Sequence, residues 1–169
     1  EAAKNKITIT ISSFDALKQL AQTKNPPEFH IKIDTGMHRQ GFYFDDLQRV
    51  VKFLNPQSSR RRRGSPRAAI LNSRLRGICT HFASAKDINY PTYTEKQFAE
   101  FQKATKLFEH AGFTNLIKQC AATGATLINP KYHLDAVRVG IGLYGLWPSK
   151  ELEAQLGSKI SLHPVLSWR

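Results

Sequence analysis

Short apolar segments with two alternating periodicities are the feature that most limits the fold of this chain. Ile7–Ile11 is apolar at every second position, which is typical of a strand, and Ser13 is placed to cap a following helix. Further strands are predicted at residues 29–34, 75–81, 116–121 and 135–139, and further helices open at Asp45 and at Thr94, which forms a capping-box pattern with Gln97. Strands that alternate with helices form βαβ units, so the sequence predicts an α/β protein with a parallel sheet.

Polar segments follow four of the predicted strands. In parallel α/β proteins, ligand-binding residues gather in the loops after the carboxyl ends of the strands. Here those loops are residues 34–42, 80–85, 121–126 and 138–145, and each is rich in small, polar or charged residues. The sequence therefore predicts one polar pocket where these four loops meet.

Two of these loops contain glycines suited to binding phosphate. Thr123-Gly124 offers a hydroxyl beside a bare backbone, and Gly140-Ile141-Gly142 offers exposed amides. Glycine lets backbone N–H groups approach a phosphate closely, although the same glycines are also compatible with simple tight turns.

Arg138 and His81 lie at the ends of predicted strands. A buried arginine needs an acceptor, which is either Asp135 in a structural ion pair or a ring nitrogen or carboxylate of a ligand. His81 is either a hydrogen-bonded core residue or a ligand contact. The histidines show no metal-ligand spacing, so no metal site is predicted.

The predicted second strand places His30, Lys32 and Asp34 on one face and Phe29, Ile31 and Ile33 on the other. A lysine inside a buried strand is unusual, and Lys32 is either paired with a carboxylate such as Asp34 or is a positioned cation or modified lysine next to Arg39. The Asp34-Thr35-Gly36 triplet does not indicate an aspartic protease, because that chemistry needs two carboxylates that share a proton.

The net charge of +12 is concentrated in one segment. Residues 47–86 carry ten Lys or Arg and no Asp or Glu, whereas the rest of the chain carries 15 basic and 13 acidic residues. Arg60 to Arg63 lie within residues 55–74, which are predicted to be a basic loop or insertion. A solvated loop is favoured over a nucleic-acid contact, because nucleic-acid-binding domains spread basic residues over a folded face.

The cysteines, the apolar segments and the first residue indicate the cellular compartment and whether the chain is part of a longer protein. Cys79 and Cys120 each lie in an apolar segment, which indicates reduced thiols and a cytoplasmic protein. No segment approaches 18 apolar residues, so no membrane span is predicted. The chain begins at Glu1, and its only methionine is Met37, so we expect it to be part of a longer protein.

Three motifs together resemble the alanine racemase family. They are residues 29–42 (FHIKIDTGMHRQGF), 77–85 (GICTHFASA) and 134–145 (LDAVRVGIGLYG), and their order and spacing also match. The resemblance covers nearly the whole chain except about residues 55–74. It implies a partial (β/α)8 TIM barrel, roughly strands four to eight with their helices, over residues 1–161. Residues 162–169 would begin the connection to a C-terminal β domain.

The resemblance also implies an activity and a cofactor. The family uses pyridoxal 5′-phosphate to interconvert L- and D-alanine, which supplies D-alanine for peptidoglycan, and acts as a homodimer. By similarity, Arg39 lies near the substrate carboxylate and Lys32 matches a lysine that is often carbamylated. The residues implied to bind the cofactor are His81, Thr123, Gly124, Arg138, Gly140 and Ile141.

The sequence departs from the family pattern in ways that affect function. The Schiff-base lysine and the catalytic tyrosine have no counterpart here, so no catalytic residue is assigned and the chain alone is expected to be inactive. Thr123-Gly124 stands where the family commonly has Asn-Ser. Two alternatives remain open. One is another pyridoxal-phosphate barrel enzyme, a broad-specificity racemase or a decarboxylase, and the other is a basic nucleic-acid-interacting module acting through Arg60 to Arg63.

Overall fold

The computed structural model describes residues 1–55 and 66–164. Its strands and helices are, in chain order, β1 (Ile9–Ile11), α1 (Phe14–Gln22), β2 (Phe29–Lys32), α2 (Leu47–Leu54), α3 (Pro66–Arg74), β3 (Leu75–Cys79), α4 (Thr92–His110), β4 (Ile117–Gln119), α5 (Thr123–Ile128) and α6 (Lys150–Leu156). Short 3₁₀ turns lie at Phe44–Asp46, Pro130–Tyr132 and Ile141–Tyr144.

The four strands form one parallel sheet in the order β1-β2-β3-β4. Sequential parallel neighbours joined by helices are the arrangement of a (β/α) barrel wall. The predicted α/β class, with part of a barrel, is therefore confirmed. Ser13 also caps α1 as predicted, since its hydroxyl accepts the backbone N–H of Ala16 at 3.3 Å.

One face of the sheet forms the hydrophobic core. Phe29, Ile31 and Ile33 alternate along β2 and its extension, and all three are fully buried. They pack with residues from neighbouring strands and helices: Leu17, Leu47, Val50, Leu54, Ile78, Phe101 and Phe108. The period-two pattern of β2 predicted this face correctly.

The other face of the sheet carries polar side chains. Lys32 pairs in register with Cys79, and Cys79 pairs with Gln119, so these three side chains form one row across the sheet. His30 pairs with Gly77 in the preceding row. A Cβ on Gly77 would lie 2.9 Å from the His30 ring and 2.4 Å from the carbonyl of Ile117, so only glycine leaves room for both.

The prediction of a strand at residues 135–139 is wrong, because this segment forms no regular strand. The segment forms only an isolated parallel bridge between Ala122 and Arg138. The Asp135 carboxylate accepts the backbone N–H of Lys118 at 2.8 Å, which takes a donor that a ladder carbonyl would otherwise use. Leu134, with φ of 50°, turns the chain just before this point.

The predicted basic loop over residues 55–74 is wrong for its second half. Residues Pro66–Arg74 form helix α3, in which Leu71 is buried at 1% exposure. Proline at the first helical position and the alanines that follow favour this helix. The loop was predicted to continue past Pro66 because the residues before it have a loop-like composition. Arg60 to Arg63 lie outside the described residues, as do residues 165–169 of the predicted connection at 162–169.

The capping box predicted from Thr94 and Gln97 is also wrong. Helix α4 begins two residues earlier, at Thr92, because Pro91 already has helical dihedral angles (φ −72°, ψ −12°). The Thr94 hydroxyl is buried and has no hydrogen-bond partner within the described structure. Gln97 instead hydrogen-bonds to two loops of the sheet.

Cys79 and Cys120 are both buried free thiols, as the sequence predicted. Burial raises the pKa of both thiols, that of Cys120 to about 12. In the described part of the chain, no helix combines the length and apolar composition needed to cross a membrane.

Candidate functional site

A cavity of about 420 Å³ lies at the carboxyl ends of β3 and β4. It is lined by six of the residues singled out in the sequence, namely His81, Thr123, Gly124, Arg138, Gly140 and Ile141. Arg39 and Lys32 line a much smaller adjoining cleft, which shares His81 with the cavity. The structure thus brings all eight predicted site residues into one region, at the edge of the sheet where the sequence placed the pocket.

Arg138 is held by a set of acceptors at the carboxyl ends of two strands, β3 and β4. Its guanidinium donates to the carbonyl of Thr80 at 2.7 Å, to Gln119 Oε1 at 3.0 Å and to the carbonyl of Cys120 at 3.3 Å. It also lies 3.4 Å from His81 Nδ1. The ion pair that the sequence allowed with Asp135 is not formed in the described structure, since the Asp135 carboxylate accepts from Lys118 instead.

Gln119 and His30 belong to the same network and were missed as site residues. The Gln119 amide nitrogen lies 2.9 Å from His30 Nδ1, while its oxygen accepts from Arg138. Gln119 therefore links a histidine of β2 to the arginine at the cavity. A polar residue on the same face as Lys32 was the available signal for His30, but Gln119 lies on a short strand whose sequence pattern is ambiguous.

The two predicted glycine segments meet at one corner of the cavity. Thr123 Oγ1 accepts the backbone N–H of Gly140 at 3.1 Å and that of Gly142 at 3.4 Å. A Cβ on Gly142 would lie 2.8 Å from Thr123 Cγ2, so the close approach requires glycine there. Thr123 Oγ1 therefore holds the amides of Gly140 and Gly142, and the Thr123-Gly124 and Gly140-Ile141 segments lie side by side at the cavity wall.

Asp34 shapes the loop that carries Arg39. Its carboxylate accepts backbone N–H groups from Gly36 at 2.9 Å, His38 at 3.0 Å and Arg39 at 3.1 Å. Burial would raise the pKa of Asp34, but the backbone donors outweigh burial and hold the pKa below its usual value. Because this carboxylate is occupied by its own loop, the salt bridge that the sequence allowed between Asp34 and Lys32 is not formed in the described structure.

Several cations converge where the cleft meets the cavity. Burial, followed by the charges of Lys32, Arg138 and Arg39, lowers the pKa of His81 to about 4. Burial is also the main cause that lowers the pKa of Lys32, with further contributions from Arg138 and Arg39. His81 is therefore neutral at pH 7, and the surrounding positive charge favours an anionic ligand.

Gln97 of α4 connects two of the loops at this edge. Its side-chain oxygen accepts the backbone N–H of Ala83 at 2.9 Å, and its nitrogen donates to Thr35 Oγ1 at 3.3 Å and to the carbonyl of His81 at 3.4 Å. Thr35 and Thr80 hydroxyls hydrogen-bond to each other at 2.8 Å. The sequence assigned Gln97 to a helix cap, so this connection was missed.

Groups of three or more His, Cys, Asp or Glu side chains arranged to hold a metal ion are absent from residues 1–55 and 66–164. The polar side chains that line the cavity are instead the Arg138 guanidinium, the Lys86 ammonium, the His81 imidazole and the Thr123 hydroxyl, and backbone amides lie beside them. These groups bind oxyanions rather than cations.

A parallel α/β wall with a cavity at the carboxyl ends of its strands is typical of the class of (β/α) barrel domains, and this chain forms part of such a domain. Within that class, the chain belongs to the family described as alanine racemase, N-terminal domain, whose family model matches residues 1–148.

Individual relatives agree with this assignment. The alanine racemase of Leptospira interrogans is 34% identical over 165 residues, which cover 95% of this chain and 39% of that protein. Alanine racemase 1 of Oceanobacillus iheyensis is 33% identical over 173 residues, which cover 100% of this chain and 42% of the relative. The crystal structure of alanine racemase from Bacillus anthracis with bound L-Ala-P matches with a TM-score of 0.79 and 27% identity over 96% of this chain and 39% of that one. The chain thus spans about two fifths of the length of these relatives.

Proposed function

We propose that this chain forms the cofactor-binding wall of a pyridoxal-phosphate-dependent alanine racemase, which interconverts L- and D-alanine and supplies D-alanine for peptidoglycan. The observation that carries the proposal is the single cavity lined by His81, Arg138 and the paired loops at Thr123-Gly124 and Gly140-Ile141. Pyridoxal phosphate is anionic and aromatic, and it matches the cavity both in volume, which is about 420 Å³, and in the positive charge that surrounds it.

The groups present fit each end of the cofactor. The Thr123 hydroxyl and the backbone amides of Gly124 and Ile141 would hold the phosphate, and the Gly140 amide would join them by exchanging its bond to Thr123 Oγ1 for the ligand. Arg138 would face the pyridine nitrogen, and His81 would contact the ring. When bound, pyridoxal phosphate supplies an electron sink for the carbanion formed at the amino-acid Cα.

The properties of Arg138 suit racemisation. A guanidinium stays charged and does not give its proton to the ring nitrogen, and its bonds to Thr80, Cys120 and Gln119 hold it in place. By leaving the ring nitrogen of the bound cofactor unprotonated, Arg138 would limit the electron withdrawal that the cofactor supplies and so would favour return of a proton to Cα over side reactions.

Lys32 and Arg39 provide the substrate side of the proposed site. Arg39 would lie near the substrate carboxylate, with its loop held by Asp34. The buried Lys32 has a lowered pKa, so more of its amine is uncharged and available to form a carbamate with CO₂. A carbamate would add a negative charge among Arg39, Arg138 and His81.

The proposal assigns the Schiff-base lysine and the acid/base tyrosine to polypeptide outside these residues. Racemisation needs a proton removed from one face of Cα and returned to the other, which requires two positioned groups. The chain alone is therefore proposed to be inactive, and the full-length protein to act as a homodimer. The free thiols of Cys79 and Cys120 support a cytoplasmic location.

Calorimetric titration with pyridoxamine 5′-phosphate tests the cofactor part of this proposal. This analogue keeps the ring and phosphate but has no aldehyde, so it does not form Schiff bases with surface lysines. We expect saturable binding that pyridoxal 5′-phosphate competes away, and much weaker binding of pyridoxamine, which lacks the phosphate. Equal binding of both compounds at moderate salt would contradict a phosphate site, and inorganic phosphate controls for attraction to the net charge of +12.

A genetic test addresses the reaction. The full-length gene that includes this chain should restore growth to a bacterial strain that requires D-alanine. The purified full-length protein is then assayed with alanine, serine, lysine and ornithine. Turnover of another amino acid without alanine would reject the alanine racemase and favour a different enzyme of the same cofactor class.

A further inference from the structure

Gln97 is a polar side chain in the hydrophobic part of α4, with 1% of its surface exposed. Its neighbours on the same face of the helix are Phe98, Phe101 and Phe108, which are core residues. Burying an amide costs free energy unless every hydrogen-bonding group is satisfied, and a methionine of similar volume would fill the space without that cost. A core that only needed filling gives no reason for an amide here.

All three hydrogen bonds of Gln97 go to loops that carry the candidate site. Two of its partners, the carbonyl of His81 and the N–H of Ala83, belong to the segment that lines the cavity. The third, the Thr35 hydroxyl, lies in the loop after β2. Gln97 therefore joins the loop of the cofactor cavity to the loop of the cleft that contains Arg39.

The connection continues from Gln97 to Arg138. The Thr35 hydroxyl that accepts from Gln97 also bonds to the Thr80 hydroxyl at 2.8 Å. The carbonyl of Thr80 accepts the shortest bond of the Arg138 guanidinium, at 2.7 Å. A shift of Gln97 thus acts on both His81 and the residue that anchors Arg138.

Aromatic contacts next to Gln97 hold the same loop. The Phe82 ring, which lines the cavity, packs edge-on against Phe98 with ring centroids 6.5 Å apart and against Tyr132 at 5.3 Å. Tyr93, one turn before Gln97, donates from its hydroxyl to the carbonyl of Gly36 at 2.6 Å. The apolar contacts position Phe82, while only Gln97 among these helix residues bonds to the backbone on either side of it.

We propose that Gln97 is a positioning residue of this site, which sets the place of the His81–Ala83 segment and, through Thr35 and Thr80, of Arg138. This inference rests on the proposed function, because it assigns Gln97 a role in binding the phosphorylated pyridine ligand. It does not make Gln97 a catalytic residue, since its polar atoms contact only the protein.

Two variants of the full 169-residue chain test the role. Gln97→Met keeps the volume and removes all three hydrogen bonds, and Gln97→Glu keeps an acceptor for the Ala83 N–H. Calorimetry with pyridoxamine 5′-phosphate should show about tenfold weaker binding for Gln97→Met, which corresponds to the loss of about one hydrogen bond's free energy. Gln97→Glu should bind with an intermediate affinity.

Phe101→Leu is the matched control. Phe101 is fully buried one turn further along the same helix, and its side chain belongs to the hydrophobic core. The substitution should lower the free energy of unfolding at least as much as Gln97→Met does. We expect it to leave the ligand affinity within about twofold of the original chain, since a loss of stability alone does not displace the loop.

NMR of the ligand-free chain supplies a second measurement. In Gln97→Met, the imidazole signals of His81 and the guanidinium signals of Arg138 should move, and the Ala83 amide should exchange faster with solvent. Phe101→Leu should leave all three unchanged. If Gln97→Met does not fold, the same three signals in Gln97→Glu decide the question.

The outcomes separate this inference from the proposed function. Failure of the original chain to bind the phosphate ester would overturn both. Binding by the original chain that Gln97→Met leaves unchanged, with unmoved His81 and Arg138 signals, would overturn the positioning role alone. An equal loss of affinity in Phe101→Leu would likewise show that Gln97 contributes only stability.

Discussion

The two faces of strand β2 carry side chains with different surroundings. Phe29 and Ile31 point into the core and are fully buried among helices, whereas His30 and Lys32 alternate with them and lie half-buried on the polar face. On the core face, contacts are apolar and numerous. On the polar face, side chains are linked by hydrogen bonds, such as the one between His30 and Gln119. The difference indicates that stability depends mainly on the first face and ligand binding on the second.

Phe29→Ala should have the largest effect on the stability of the chain. Deleting a fully buried phenylalanine removes its transfer free energy and leaves a cavity, which costs about 3–5 kcal/mol of the free energy of unfolding. Urea denaturation measures this loss. His30→Ala, one residue along on the other face, is the control and should cost much less; an equal loss would break the contrast between the faces.

Arg138→Met tests the role of the polar face in ligand binding. The substitution removes a charged donor from the cavity, and hydrogen bonds to charged groups are worth about 1.5–3 kcal/mol. Affinity for pyridoxamine 5′-phosphate, measured by calorimetry, should fall about tenfold to a hundredfold. Arg138→Lys keeps the charge but not the planar fork, so it should recover only part of the loss. Unchanged affinity in Arg138→Met would remove Arg138 from the site.

The core face was the part of the fold that sequence could predict well. The alternation in residues 29–34 identified Phe29, Ile31 and Ile33, because a period-two pattern directly reports which side chains are buried. The segment at 135–139 has a similar pattern but forms only one bridge, since the Asp135 carboxylate accepts the Lys118 N–H in place of a backbone carbonyl. Local periodicity does not reveal such a competition.

The candidate site was predictable where its residues end segments with a strand-like sequence pattern. His81 and Arg138 were found by this rule together with the family resemblance, and both line the cavity. Gln97 and Gln119 were not found, because their roles depend on partners more than ten residues away along the chain. Gln97 bonds to Thr35, 62 residues earlier, and nothing in the sequence near α4 specifies that pairing.

Lys32→Met tests whether the charge of Lys32, on the polar face, lowers the pKa of His81. The pKa of His81 is lowered to about 4, first by burial and then by Lys32 and other cations. Removing Lys32 should therefore raise the pKa of His81, although burial should still keep it below the ordinary value near 6.5. NMR titration of the imidazole measures this directly. An unchanged pKa would show that Lys32 does not act on His81.

The same pKa shift sets a pH dependence of stability. Because the pKa of folded His81 lies below the ordinary value, the unfolded chain takes up the proton first as the pH falls. The contribution of neutral, buried His81 to the free energy of unfolding is therefore complete above about pH 6.5. It is lost progressively as the pH falls from 6.5 to 4. His81→Gln should flatten this part of the curve, measured by denaturation at several pH values, while His133→Gln serves as the control.

Thr94→Val should have the smallest effect on the free energy of unfolding. The change should not be the decrease that follows the loss of a helix cap. The Thr94 hydroxyl is buried without a hydrogen-bond partner in the described structure, so replacing it with a methyl group removes a desolvation cost and keeps the shape. The free energy of unfolding should stay constant or rise by up to about 1 kcal/mol. A loss of about 0.5–2 kcal/mol in urea denaturation would instead indicate a capping role for Thr94. Since α4 begins before Thr94 and the Gln97 amide is bonded to the loops of the sheet, we expect no such loss.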